Sequence, residues 1–184
     1  MLFGGRYLSN EGGSILDDQF LQLRYSYLLS ASTRTFHFVQ AQKNETLLLQ
    51  SRWLLGAGVR STVRETDRSS LSVGTGLMVE SERLDPARLA STDDPEERAI
   101  RITNLAVMSW AAPSGARVLN ILYVQPRLDG LGDVRILNDL GLSMPLTAAL
   151  GATMSIEWRH DSRPPSTLSK DDLSLTAGLS LDFR

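Results

Sequence analysis

Apolar and polar residues alternate one by one along this chain over segments of ten residues or more, and a period of two admits little besides long β-strands with one apolar face. The pattern is cleanest toward the C-terminus. From Thr147 to Arg159 one face carries Ala148, Leu150, Ala152, Met154, Ile156 and Trp158, the other Thr147, Ala149, Gly151, Thr153, Ser155, Glu157 and Arg159. From Asp172 to Phe183, Leu173, Leu175, Ala177, Leu179, Leu181 and Phe183 oppose Asp172, Ser174, Thr176, Gly178, Ser180 and Asp182. Upstream, Leu21, Leu23, Tyr25, Tyr27 and Leu29 alternate with Gln22, Arg24, Ser26 and Leu28. Leu47, Leu49, Trp53, Leu55, Ala57 and Val59 are expected to share one face. The segments 33–41 and 118–125 carry apolar residues on both faces and leave their orientation open.

Strands are predicted near 1–8, 20–30, 34–42, 46–62, 70–82, 98–110, 117–126, 133–143, 147–160 and 171–183. One set of connectors reads as long and polar or Gly/Pro-rich: 9–19, 83–97, 126–133 and 161–170. The other set, at 31–33, 111–116 and 144–145, is tight, whereas 43–45 and 63–69 fit neither rule. Short turns at one rim and longer loops at the other, joining strands of about 9–11 residues, are the pattern of an outer-membrane barrel. The expected fold is all-β: one domain over 1–184, an antiparallel up-and-down transmembrane β-barrel of about ten strands.

Bulk composition does not oppose this. Mean hydropathy is only −0.12, as expected where apolar residues occupy alternate positions and averaging hides them. No apolar run reaches the roughly 20 residues that a membrane helix needs. A net charge of −2 argues against nucleic acid as a partner. The absence of cysteine excludes disulfides and thiolate metal sites. Met1-Leu2-Phe3-Gly4-Gly5-Arg6 has neither the basic start nor the apolar stretch of a secretory leader, so an exported form implies a processed or truncated chain.

Which face meets water decides between a membrane barrel and a soluble one, because a lipocalin-like ligand-binding barrel has the same alternation with its apolar side inside. The polar face carries Arg24, Arg52, Arg60, Arg101, Arg135 and Arg159 against Glu80, Glu82, Asp139, Glu157, Asp172 and Asp182. Gly56, Gly58, Gly74, Gly76, Gly151 and Gly178 lie between them. Charges mixed with glycines suit an interior that is either wet or cross-braced by ion pairs. A solvated outer face would carry more lysine, and the two lysines, Lys43 and Lys170, fall in connectors. Against lipid, each arginine at midplane would cost about 2–4 kcal/mol, so the charged face is expected inward. Tyr27, Trp110, Trp158 and Phe183 stand near strand ends, where interfacial aromatics belong.

Several strings extend this reading: Leu23-Arg24-Tyr25, Phe36-x-Phe38-x-Gln40, Arg52-Trp53-Leu54-Leu55-Gly56-Ala57-Gly58-Val59-Arg60 and Gly74-x-Gly76-x-Met78-x-Glu80-x-Glu82. They continue with Tyr123-Val124-Gln125-Pro126, Asp133-Val134-Arg135, Asp161-Ser162-x-Pro164-Pro165, Asp171-Asp172 and a last strand ending at Phe183. In order and spacing the series resembles the salt-stress-induced outer-membrane protein family (domain of unknown function 481) across nearly the whole chain. The resemblance implies an outer-membrane barrel and a link to salt stress, with no established biochemical activity. The family's glycine/asparagine-rich first hairpin is not matched here, which implies about twelve strands in a complete barrel.

Candidate chemistry is sparse. His160 and Asp161 are adjacent, so within a strand they point to opposite faces and can act as an acid–base pair only if the strand has already ended; a strand-end residue beside a loop carboxylate is the simpler reading. His37 is expected to be packed or lumen-facing. Glu80 and Glu82 share a face as metal ligands would, but ion pairing with arginines is the simpler use. The acidic run 91–97 lacks the glycine and ligand spacing of a calcium loop and reads as a solvated charge run. The glycine pairs have no following helix and are not phosphate cradles. The sequence therefore leads to a non-catalytic monomer without a cofactor. Its expected partners are membrane lipids, lipopolysaccharide and the outer-membrane assembly machinery. The expected role is structural or stress-related in the bacterial envelope, with a narrow channel for small ions or solutes and a soluble ligand-binding barrel as rival readings.

Overall fold

In a computed structural model, which describes the backbone of residues 2–10 and 13–181 and the side chains of 19–181, the chain forms one antiparallel sheet. Its strands are β1 (Leu2–Asn10), β2 (Gly13–Leu28), β3 (Thr33–Asn44), β4 (Leu49–Glu65), β5 (Ser69–Leu84), β6 (Glu96–Ala111), β7 (Arg117–Arg127), β8 (Gly130–Pro145), β9 (Leu150–Asp161) and β10 (Asp171–Leu181). They pair in sequence order, β1 to β10, as an up-and-down meander. Among the described residues no pairing joins β1 to β10, so the sheet is not closed along that seam.

The sheet is nevertheless rolled toward its polar face. Arg24 on β2 donates through Nη2 to the Tyr123 hydroxyl on β7 at 3.1 Å, joining strands far apart in the meander. Arg135 on β8 reaches Glu82 on β5 at 3.0 Å. Contacts of this kind on one face make that face the concave one. Cross-strand partners share a face, so the register carries the assignment around the sheet: Met78 opposite Gly56, Gly56 opposite Phe38, and Phe38 opposite Arg24 are all concave.

The convex face is the leucine-rich one. Leu173, Leu175 and Leu179 on β10 are 68%, 65% and 73% exposed, and Leu55 on β4 is 61% exposed. Tyr27 and Trp110 are exposed near the rim of connectors 29–32, 66–68, 112–116 and 146–149; Trp53 and Trp158 lie toward the opposite rim. Phe183, the remaining interfacial aromatic expected, lies outside the described residues, as does Asp182. The few buried apolar side chains, Leu48, Leu49, Leu54, Met78, Leu84, Ala99 and Leu105, do not amount to a core lined by the leucine rows.

Packing between β4 and β5 is tight. Gly58 and Gly76 face each other across the ladder. A Cβ on Gly76 would stand 2.3 Å from the Ala57 carbonyl oxygen and 2.7 Å from the Gly58 Cα. Backbone atoms cannot move aside, so only glycine allows this approach. Phe36 and Phe38 lie over Gly58 and Gly56, and their stacked rings have centroids 6.4 Å apart.

The structure corrects several expectations. Strand replaces loop over 13–19, because β2 continues the ladder with β1 through the pairs Asp18–Arg6 and Asp17–Tyr7. The polarity of 9–19 reads as loop only when backbone pairing is ignored. Likewise, only positions 128–129 separate β7 from β8; Pro126 remains in β7, next to a register shift that accommodates its missing N–H. At this rim only 85–95 and 162–170 are long connectors. Leu49 does not share the face of Trp53: a register shift between Leu49 and Ser51 reverses the parity, leaving Leu49 3% exposed opposite Leu84.

Candidate functional site: a layered set of charges on the concave face

Glu80 organises the first charged layer. On β5 it alternates with the exposed Val79 and the half-buried Ser81, which fixes its side chain on the concave face. It accepts from Arg101 Nε at 2.8 Å and also pairs with Arg52 and Arg135. Glu82, two residues on and therefore on the same face, lies 3.0 Å from Arg135 Nη1 and 3.5 Å from Arg52 Nε. Arg101 is 1% exposed. Its Nη1 donates to Asp133 Oδ1 at 3.0 Å and to the Gln125 carbonyl oxygen at 3.2 Å. Arg135 closes the layer toward β9 through Asp161 at 2.8 Å.

A buried charge is tolerable only when its hydrogen-bonding capacity is met. That condition holds: among the described residues no buried side-chain nitrogen or oxygen lacks a partner. Toward the rim, Arg127 bridges Glu97 at 2.5 Å and Asp129 at 2.6 Å. In the 128–129 turn that guanidinium hydrogen-bonds the Asp129 carboxyl and holds it below its ordinary pKa. Connectors 85–95 and 162–170 meet above the layer, where Asp93 Oδ2 accepts from the Ser166 amide at 2.9 Å and its hydroxyl at 2.8 Å.

A second group lies on β8 and β9. Asp139 and Glu157 are cross-strand partners, and Arg159 Nε pairs with Glu157 at 2.6 Å. Asp172 on β10 stands opposite Arg159 in the register, exposed and without an ion pair among the described residues. A third group differs in sign. Arg24 contacts Tyr123, and Arg60 is the direct cross-strand partner of Arg34. No described carboxylate lies within ion-pair distance of these three arginines.

Of the residues expected to form one charge network, the structure thus unites Arg52, Glu80, Glu82, Arg101 and Arg135. It places Asp139, Glu157 and Arg159 in a separate group, and leaves Arg24, Arg60 and Asp172 outside both ion-paired sets. Sequence reasoning missed Asp133, Asp161, Glu97 and Arg127 because they were assigned to connectors or their margins. Parity was the available signal: Asp133 shares a face with Arg135, and Asp161 with Arg159.

The histidines form no catalytic constellation. His160 Nδ1 lies 2.9 Å from Asp171 Oδ1, which also accepts from Trp158 Nε1 at 3.1 Å, whereas Asp161 faces the concave side beside Arg135. His37, expected to be packed or lumen-facing, is exposed on the convex side 6.1 Å from the Tyr25 ring, because it follows the parity of Val39 rather than that of Phe36 and Phe38. The acidic run is occupied by protein groups: Arg83 pairs with Glu96, and Arg127 with Glu97. Among the described residues no group of three or more His, Asp or Glu is arranged to hold a metal ion.

Residues 3–183 match the family model described as a protein of unknown function, DUF481. The chain belongs to the DUF481 family. The match runs from Phe3 in β1 through β10 and includes all three charged groups of this DUF481 chain. Comparison with curated proteins and with solved structures gave no match.

Proposed function

We propose that this DUF481 chain is a small bacterial outer-membrane β-barrel, monomeric, whose convex face contacts lipid tails and whose ion-paired interior braces the wall. The observation that carries the reading is the segregation of the two faces. Leucine, valine and tryptophan side chains such as Val59, Trp53, Leu77 and Leu179 occupy the convex surface at exposures from 44% to 73%, while Arg101 and Glu80, each 1% exposed, lie on the concave side. A water-soluble fold would gain by burying those leucines, at about 25 cal/mol per Å² of apolar surface. Rows of them on the outside of a rolled sheet match a surface solvated by hydrocarbon.

The role that follows is structural rather than catalytic. Guanidinium–carboxylate pairs running from β4 to β9 tie together strands that the ladder alone leaves separated, and they favour a barred interior over a conducting one. A part in envelope integrity under salt stress is consistent with the family resemblance. Lipids, lipopolysaccharide and the outer-membrane assembly machinery are the corresponding partners.

The test is expression of the precursor in a Gram-negative host, followed by membrane fractionation and electrophoresis with and without boiling. Recovery in the outer-membrane fraction with heat-modifiable mobility supports the reading. A monodisperse protein in detergent-free buffer refutes it. Planar-bilayer recording separates the rivals: a barred interior gives no step conductance, a channel does.

A further inference from the structure

We infer that the concave face near connectors 29–32 and 66–68 is a binding site for a small tetrahedral oxyanion of the phosphate or sulfate class, built from Arg24, Arg34, Arg60 and Tyr123. The inference rests on the concave geometry and is independent of whether the convex face meets lipid.

The contrast with the Glu80 layer is the first argument. There each guanidinium is met by carboxylates at 2.8–3.5 Å. Around Arg24, Arg34 and Arg60 no described carboxylate comes within 4.0 Å. Arg34 and Arg60 stand directly opposite each other on adjacent strands. Like charges at such positions destabilise a sheet unless something neutralises them. Asp139 and Glu157 lie on the β8–β9 wall, where Glu157 is engaged by Arg159.

The second argument is convergence. Arg24 arrives from β2, Arg34 from β3, Arg60 from β4 and Tyr123 from β7; Arg60 lies within electrostatic reach of Arg34, Arg24 and Tyr123, so four strands contribute to one cluster. Arg24 donates to the Tyr123 oxygen, which leaves the phenolic hydrogen free to donate to a ligand. Planar guanidinium forks and one hydroxyl donor match a tetrahedral oxyanion, which accepts several charge-assisted hydrogen bonds at once. Arg34 and Arg60 are half-buried rather than fully solvated, so the site is recessed yet reachable.

The test uses the full chain refolded in non-ionic detergent, with heat-modifiable mobility checked for every variant, so that failure to form the barrel is seen separately. Isothermal titration with sodium phosphate and sodium sulfate in low-chloride buffer should give saturable binding that weakens as salt is raised. Arg60→Gln and Tyr123→Phe should each weaken it, Arg60→Gln by about tenfold. The combined Arg24→Gln, Arg34→Gln and Arg60→Gln variant should abolish it, whereas Arg117→Gln leaves it unchanged. If the triple variant does not refold, Arg60→Gln and Tyr123→Phe decide. Short-chain phosphatidic acid distinguishes a lipid headgroup from a free anion: equal or weaker binding than inorganic phosphate supports the free anion. No saturable phosphate or sulfate binding, binding of phosphatidic acid alone, or unchanged affinity in Arg60→Gln and Tyr123→Phe would overturn the inference.

Discussion

Replacing Glu80 by glutamine keeps the side chain's shape and removes one charge from the centre of the buried layer. Three guanidiniums converge on that carboxylate: Arg101 at 2.8 Å, together with Arg52 and Arg135. Glu80 and Arg101 are each 1% exposed, so solvent screens the loss poorly. Removing one partner of a buried ion pair typically costs about 3–5 kcal/mol, because it leaves the opposite charge desolvated and uncompensated. The internal control is Arg83 with Glu96, each 60% exposed, where Arg83→Ala should cost about 0.2–1 kcal/mol. Urea unfolding of the refolded protein in lipid vesicles, followed by tryptophan fluorescence, measures both. A double-mutant cycle with Arg52→Gln isolates the pair, and coupling above about 1 kcal/mol is expected between contacting residues. A Glu80→Gln cost no greater than that of Arg83→Ala would refute the claim that this layer braces the wall.

Further predictions concern the wall itself. Leu175→Arg places a charge on the convex face and should lower membrane assembly by the equivalent of about 2–4 kcal/mol, whereas Thr176→Arg on the concave side is tolerated; quantifying the heat-modifiable species checks both. Gly76→Ala forces a Cβ to 2.3 Å from the Ala57 oxygen and should destabilise by about 1–3 kcal/mol in urea melts. Gly178→Ala, whose nearest contact is the Thr153 hydroxyl at 3.2 Å, should cost much less. Asp93→Ala removes the tie between connectors 85–95 and 162–170 and should speed tryptic cleavage at Arg88 and Lys170, read by mass spectrometry; unchanged cleavage would show the tie to be inconsequential.

What could be read in advance follows from where side chains meet uniform surroundings. On β10 every second residue from Leu173 to Leu181 faces the same convex surface, so alternation alone specifies strand and face. On β3 and β7 it fails for a local reason. Phe36 and Phe38 fill the concave space left by Gly58 and Gly56, and Ile121 and Tyr123 likewise sit on the inner side, so both faces carry apolar groups. Parity assigns charged residues to a face but not to partners. Arg60 and Arg52 occupy the same face of β4, yet one meets Glu80 while the other stands opposite Arg34. That difference depends on how the sheet rolls, through contacts such as Arg24 with Tyr123 that no local spacing encodes. The register shift beside Leu49 is likewise invisible to a strict count by twos.

The central claim is that hydrocarbon solvates one side of this sheet and charged groups occupy the other. With no cysteine in the sequence, single cysteines from Asp171 to Leu181 can be spin-labelled without background and their collisions with oxygen and a water-soluble nickel chelate compared in vesicles. The account predicts strict alternation, with labels at 173, 175, 177 and 179 favouring oxygen and those at 174, 176 and 178 favouring the chelate. The reverse alternation, or uniform access by the chelate along the strand, would contradict it.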